Sequence, residues 1–441
     1  MRVVVALVGL IAGAGGGGLA GCAGGGRSEP AAGEGPDPGA APVGVAASGA
    51  AAGATGKPGA AEAPSRAIEV VECPVSLAGS PADEEKVAAL LEAANQAITD
   101  ARFGAAWTCA DRAADLAPAS VEAHHLRGAA LAGLGRADEA QLAYSLALAL
   151  DPDDPETLRA VADFYINGKG EHGRDALRLG LELAQRGTRR VLVRRRKSTL
   201  LAADLALLEG QALNDLGRSD EALARIDVSL KHAPGRADAL HERGVALFDL
   251  SRFTEAKAAF EKALALQPTD AFSHQLMGLT LEQLGDPAGA ERELLRAVEL
   301  APGELAPPVL IEPAELRHEI DAVIAMLDEG RRARVHDVRI EVVDLPDPID
   351  LKAVRPPFPP TILGLYRGPV GHGHGHGHGP AGRGALRAEH EPTSIVLYRK
   401  NLARAVKTRA ELNVQIRETL LHEIGHLEGF DEDDLRRRGM D

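Results

Sequence analysis

The residues best suited to chemistry lie together near the end of the chain, in His422-Glu423-Ile424-Gly425-His426. Two histidines four apart on a helix project from one face, one turn apart. That brings two imidazole nitrogens within reach of a single Zn²⁺. A glutamate directly after the first histidine can reach a water on that metal and take its proton. A catalytic zinc also needs a third protein ligand and an open position. The acidic run Asp431-Glu432-Asp433-Asp434 follows after Leu427-Glu428-Gly429-Phe430. The plainer alternatives are a pair of surface histidines, and carboxylates that open a last short helix over 434–438, where the helix dipole favours negative charge.

A second group of metal-binding side chains precedes it. His372, His374, His376 and His378 alternate with glycine. Glycine opposes regular structure, and four imidazoles bind Zn²⁺, Ni²⁺ or Cu²⁺ weakly. Three expectations stand side by side: metal capture and delivery to the neighbouring site, completion of the zinc shell by one of these histidines, or expansion of a low-complexity loop.

The chain that must position these groups has 441 residues, enough for two or three domains with real cores. Only 3% of residues are aromatic, so alanine and leucine must do the packing, which points to helices. A net charge of -15 argues against a general nucleic-acid binder. Arg2 followed by the apolar run 3–11 reads as an export signal, too short for a mature membrane span. Leu19-Ala20-Gly21-Cys22 then resembles the lipobox of bacterial lipoproteins, with the Cys22 thiol as the lipidated group. The expectation is a signal peptide over 1–21 and a lipid anchor in the cell envelope. Ala23 after the cysteine leans towards the outer membrane, facing the periplasm. Residues 22–66 are nearly all Gly, Ala, Pro and Ser, cannot offset their ordering entropy, and read as a disordered tether. Its root-mean-square reach is roughly 35–40 Å. Cys73 and Cys109 remain, and export permits either a disulfide or two buried thiols.

Between tether and metal motif runs a ruler of prolines, Pro118 and Pro152, then Pro234, Pro268 and Pro302, in 34-residue steps within each set. Gly128, Gly210, Gly244 and Gly278 recur in phase with them, as do Ala140, Ala222, Ala256 and Ala290. Tyr144 and Phe260 take a large slot in the second helix, where Ile226 and Leu294 substitute. Small residues are needed where two helices cross closely, and a bulky one where the next repeat docks. The pattern resembles the tetratricopeptide repeat family. We read six repeats: 87–120, 121–154, about 155–188, 203–236, 237–270 and 271–304. The expected α-solenoid domain covers 67–304. An insert over 188–202 carries Arg189, Arg190, Arg194, Arg195, Arg196 and Lys197, suited either to docking an acidic partner or to a solvated face. The resemblance implies a concave groove that binds peptides or protein partners.

After Ala306-Pro307-Pro308 the pattern changes. An amphipathic helix is expected over 314–327, a strand over 335–343 and irregular chain over 344–360. Strands over 361–366 and 393–398 follow, then helix from Leu402 into the metal motif. Ile362-Leu363-Gly364-Leu365-Tyr366, Ser394-Ile395-Val396-Leu397-Tyr398-Arg399 and Arg417-Glu418-Thr419-Leu420-Leu421-His422-Glu423-Ile424-Gly425-His426 occur in that order. Together they resemble the small bacterial zincin-like metallopeptidases, over about 314–441. The resemblance implies zinc ligation by His422 and His426, with Glu423 as general base. Gly429 is expected to break the helix. The third ligand falls to Glu432, where the family carries aspartate, with Asp431 next in line. It also implies a peptide substrate along an edge strand, for which 394–398 is the candidate. The expected fold is multidomain: a disordered tether, an all-α solenoid, and a small α+β domain over 305–441 with a His-rich insertion at 371–379. The expected function is a membrane-anchored zinc peptidase whose repeats recruit partner or substrate. The alternatives are an envelope scaffold with a structural or inactive zinc site, and a metal-buffering envelope protein.

Overall fold

The computed structural model describes residues 72–75, 83–168, 173–193, 198–368 and 393–439. The signal peptide, Cys22, the tether, Arg194 to Lys197 and the four histidines of the His-Gly tract lie outside the described residues. Among the described residues, no helix is long and apolar enough to cross a membrane.

Twelve helices form six antiparallel pairs. They are α1 Asp83–Thr99 with α2 Phe103–Leu116, α3 Val121–Gly133 with α4 Ala137–Leu150, and α5 Pro155–Asn167 with α6 Arg174–Val193. Then come α7 Thr199–Asp215 with α8 Ser219–His232, α9 Ala237–Asp249 with α10 Phe253–Leu266, and α11 Ala271–Gln283 with α12 Pro287–Leu300. The in-phase glycines fall where the two helices of a pair touch. A Cβ on Gly244 would stand 2.4 Å from the Phe260 ring, and one on Gly128 2.6 Å from Tyr144. The turns of three pairs use Gly135, Gly217 and Gly285 at positive φ. In two others Ala101 and Ser251 take the same left-handed conformation, unforeseen because neither type advertises it. The insert over 188–202 is not a separate segment: α6 runs on to Val193 and α7 begins at Thr199. Of its cations, Arg190 pairs with Asp153 at 2.5 Å. Cys73 and Cys109 form a disulfide that ties the segment before α1 onto α2.

The rest of the chain is α13 Pro313–Ala325, α14 Glu329–His336, β1 Arg339–Val343, α15 Pro348–Leu351, β2 Gly364–Arg367, β3 Ser394–Tyr398, α16 Arg399–Arg404, α17 Arg409–Leu427 and α18 Glu432–Arg437. Two expectations need correction. The strand expected from 335 begins at Arg339, because Val335 and His336 complete a helix capped by the Asp328 carboxylate. The strand expected at the edge is central: the order is β1-β3-β2, with β3 parallel to β1 and antiparallel to β2. Both sides of β3 are already hydrogen-bonded, so it has no free edge for a peptide, and its five residues are all buried.

Alternation along these strands gives each sheet face a different neighbour. Tyr366, Ile395 and Leu397 pack with Leu316 and Ile320 of α13 and with Ile416, Leu420 and Ile424 of α17. Leu365, Val396 and Tyr398 belong instead to the cluster that contains Phe248 and Leu279 of the solenoid, joined by Leu351 and Ile362. The apolar core therefore runs without a break from the repeats into the C-terminal domain. Beside it the Glu282 carboxylate of α11 accepts from Lys400 at 3.0 Å and Arg404 at 2.7 Å, both on α16.

Candidate metal centre

The metal motif sits in the last two turns of α17. Thr408 caps the start of that helix, with Glu411 closing the reciprocal box. Gly429, at φ 90°, ends it. Phe430 N–H donates back to the Gly425 carbonyl at 3.0 Å, and Gly429 N–H to that of His426 at 3.0 Å. The turn is pinned from outside by Glu428, which accepts from Arg331 and Arg334 of α14.

His422 and His426 are both 2% exposed. Their Nε2 atoms lie 3.0 Å apart. His426 Nδ1 lies 2.9 Å from the Phe430 carbonyl oxygen. A carbonyl can only accept, so Nδ1 carries the proton and Nε2 presents its lone pair. Burial pushes the His426 imidazole down to about 4, against the pull of that carbonyl, and so keeps it neutral. Glu432 Oε1 is 3.8 Å from each Nε2. Burial raises the Glu432 carboxyl, but the attraction of the neighbouring His422 and His426 rings and of Arg436 outweighs it and leaves it lowered. Among the described residues, these three form the cluster whose donor atoms could share an ion.

The donor set fits zinc. Two nitrogens at zinc-ligand distance subtending a tetrahedral angle would stand about 3.3 Å apart, close to the separation here. Two imidazoles and one carboxylate leave a fourth position, and the Glu432 side chain is 44% exposed, so one side of the cluster opens to solvent. Asp431 departs from expectation as second candidate for the third ligand. Its Oδ1 accepts from Asp434 N–H at 2.8 Å and caps α18, so that carboxylate is already used at a helix start. The last helix therefore begins at Glu432 rather than Asp434.

Glu423 is fully buried, 0% exposed, beneath β2. A Cβ on Gly364 would lie 2.9 Å from Glu423 Oε1 and 2.8 Å from Thr419 Cγ2. Sequence reasoning gave Gly364 no role. A glycine inside an apolar strand was the available signal of close approach by another group. Tyr366 and Tyr398 are buried at 2% and 0%, as packing residues. Burial drives the Tyr398 phenol well above the usual tyrosine range.

A family model for zincin-like metallopeptidases matches residues 335–440. Tetratricopeptide repeat models match 121–154, 237–270 and 273–304. The chain thus carries tetratricopeptide repeats and, at its C-terminus, a zincin-like metallopeptidase domain. No curated protein matches it. Solved structures similar to it are PilF of Pseudomonas aeruginosa, PilW and YrrB. PilF is 15% identical over 50% of this chain and 94% of its own, with a TM-score of 0.43. PilW, titled a type IV pilus biogenesis factor, is 18% identical over 49% and 94%, with a TM-score of 0.43. YrrB, a tetratricopeptide protein with an unusual peptide-binding site, is 16% identical over 44% and 93%, with a TM-score of 0.34.

Proposed function

We propose that this chain is a zinc-dependent peptidase held at the bacterial cell envelope by lipid on Cys22, with the repeats recruiting a protein partner or substrate. The observation that carries the peptidase reading is the convergence of two buried imidazole nitrogens and one carboxylate at the end of α17. His422 and His426 would hold zinc through Nε2, and Glu432 would supply the third ligand. Zinc when bound polarises a peptide carbonyl and makes water acidic enough to attack at neutral pH. With the metal bound, Glu423 would take the proton of the attacking water and return it to the departing amine. The Phe430 carbonyl holds the tautomer of His426, and Glu428 with Arg331 holds the turn beyond it. The lipid anchor rests on the 1–22 sequence alone, and the outer-membrane, periplasm-facing location on Ala23 after it.

Complete burial of Glu423 favours a second reading, in which the domain holds zinc structurally within an envelope scaffold. Glu423→Gln separates the two. Under the peptidase reading the variant keeps its zinc and loses peptide hydrolysis. If the wild-type protein with bound zinc cleaves nothing in a broad peptide library, the scaffold reading stands. Cys22→Ser should move the protein from the membrane fraction to the soluble periplasm; unchanged fractionation rejects the lipid anchor.

A further inference from the structure

We infer that Gly364 is a positioning residue for Glu423, a slot in strand β2 that lets the acid run beneath the sheet. The inference rests on the reading of Glu423 as the base.

Gly364 lies in a strand whose neighbours Leu363, Leu365 and Tyr366 are 1%, 1% and 2% exposed. Glycine in such a strand sacrifices packing and backbone entropy relative to alanine. The backbone does not require it, since Gly364 is not among the glycines at positive φ. Space requires it. A Cβ there would meet Thr419 Cγ2 at 2.8 Å, Glu423 Oε1 at 2.9 Å and Glu423 Cγ at 3.1 Å. The repeat glycines make room for apolar rings and branches at Tyr144, Phe260 and Ile226. Gly364 instead makes room for an ionisable side chain, and that side chain follows His422 directly in sequence.

The register explains why the slot falls there. Gly364 pairs with Leu397 and shares its sheet face, the one covered by α17. Thr419 and Glu423 are four apart on α17, one turn, so both meet the strand at the same point. Any side chain at 364 must push one or both away. The imidazoles are held by other contacts, so metal binding should survive while the acid moves. A displacement of about 1 Å at a catalytic group costs on the order of 100-fold in turnover.

The test uses the full-length, metal-loaded protein with Gly364→Ala, alone and combined with Thr419→Ser. The serine removes Cγ2 and relieves the packing conflict, but leaves the conflict with Glu423. Three readouts apply: zinc stoichiometry, kcat and KM on a cleaved peptide, and the pH midpoint of the visible spectrum of the cobalt(II)-substituted protein, which needs no substrate. The expected result is unchanged zinc stoichiometry, kcat down by about 10–100-fold with KM unchanged, and a cobalt midpoint displaced in the same direction as in Glu423→Gln. The double variant should regain thermal stability but neither kcat nor the midpoint. Wild-type kcat and midpoint in Gly364→Ala overturn the proposal, as does full recovery of both in the double variant. If no peptide is cleaved even by the wild type, the peptidase reading fails. A displaced cobalt midpoint would then still support the positioning role.

Discussion

Two adjacent carboxylates show how little residue type alone decides. Asp431 and Glu432 both follow the metal motif, but one caps α18 and the other faces the imidazole pair. Glu432→Ala should therefore weaken zinc binding sharply in a competition titration. Asp431→Ala should leave zinc affinity nearly intact and cost about 1 kcal/mol of stability through the lost cap. Equal losses of zinc affinity in both would reject this division. In the solenoid, burial pushes Asp249 up to about 7, with the Ser219 hydroxyl opposing and the Glu242 charge reinforcing the shift. An unfolded aspartate titrates near 3.9. Between about pH 4 and 7 the folded state therefore binds more protons at this group, and its contribution to stability falls as pH rises. Asp249→Asn should flatten the pH dependence of denaturant-measured stability in that window and stabilise the protein at pH 8.

At the scale of elements, the repeat is a set of paired helices locked by size matching. Alanine at Gly244 would press its methyl into Phe260, so Gly244→Ala should cost about 1–3 kcal/mol in chemical denaturation. Adding Phe260→Leu should recover part of it. Side chains also staple successive repeats. His241 Nδ1 meets the Ser273 hydroxyl at 2.7 Å, beside the Asp270 cap, and His125 meets Thr157 beside Asp154 in the same way. These histidine, hydroxyl and carboxylate groups look like a catalytic set in isolation, but their recurrence at equivalent repeat positions marks them as joints. The main helices and strands of the C-terminal domain were legible in order because alternation and caps are local, but the short helices α14 and α15 were not. The central place of β3 was not, because its strongly apolar sequence suits any buried strand, and pairing on both sides depends on β1, over fifty residues away.

At the scale of the whole molecule, the solenoid forms part of the support for the metal domain. Leu365, Val396 and Tyr398 share their core with Phe248 and Leu279, and Glu282 holds two cations of α16. Glu282 is a buried carboxylate, and removing it would leave Lys400 and Arg404 facing each other without compensation. Glu282→Ala should cost about 3 kcal/mol and raise hydrogen exchange across α16. Unchanged exchange there would mean the two parts are coupled only through the apolar core. This docking also means that Phe248 and Leu279 of the last repeats are buried against the chain's own C-terminal domain.

The sequence by itself determined the repeat period, the glycine slots and the histidine pair one turn apart, because each depends on spacing along one helix or between two adjacent ones. It also determined the mixed helix and strand character of the last third. Only tertiary structure decided that Glu432 rather than Asp431 faces the imidazoles, that β3 lies inside the sheet, and that Glu423 is buried in a slot opened by Gly364. Those outcomes depend on which surfaces meet across tens of residues of chain, and local periodicity carries no information about that distance.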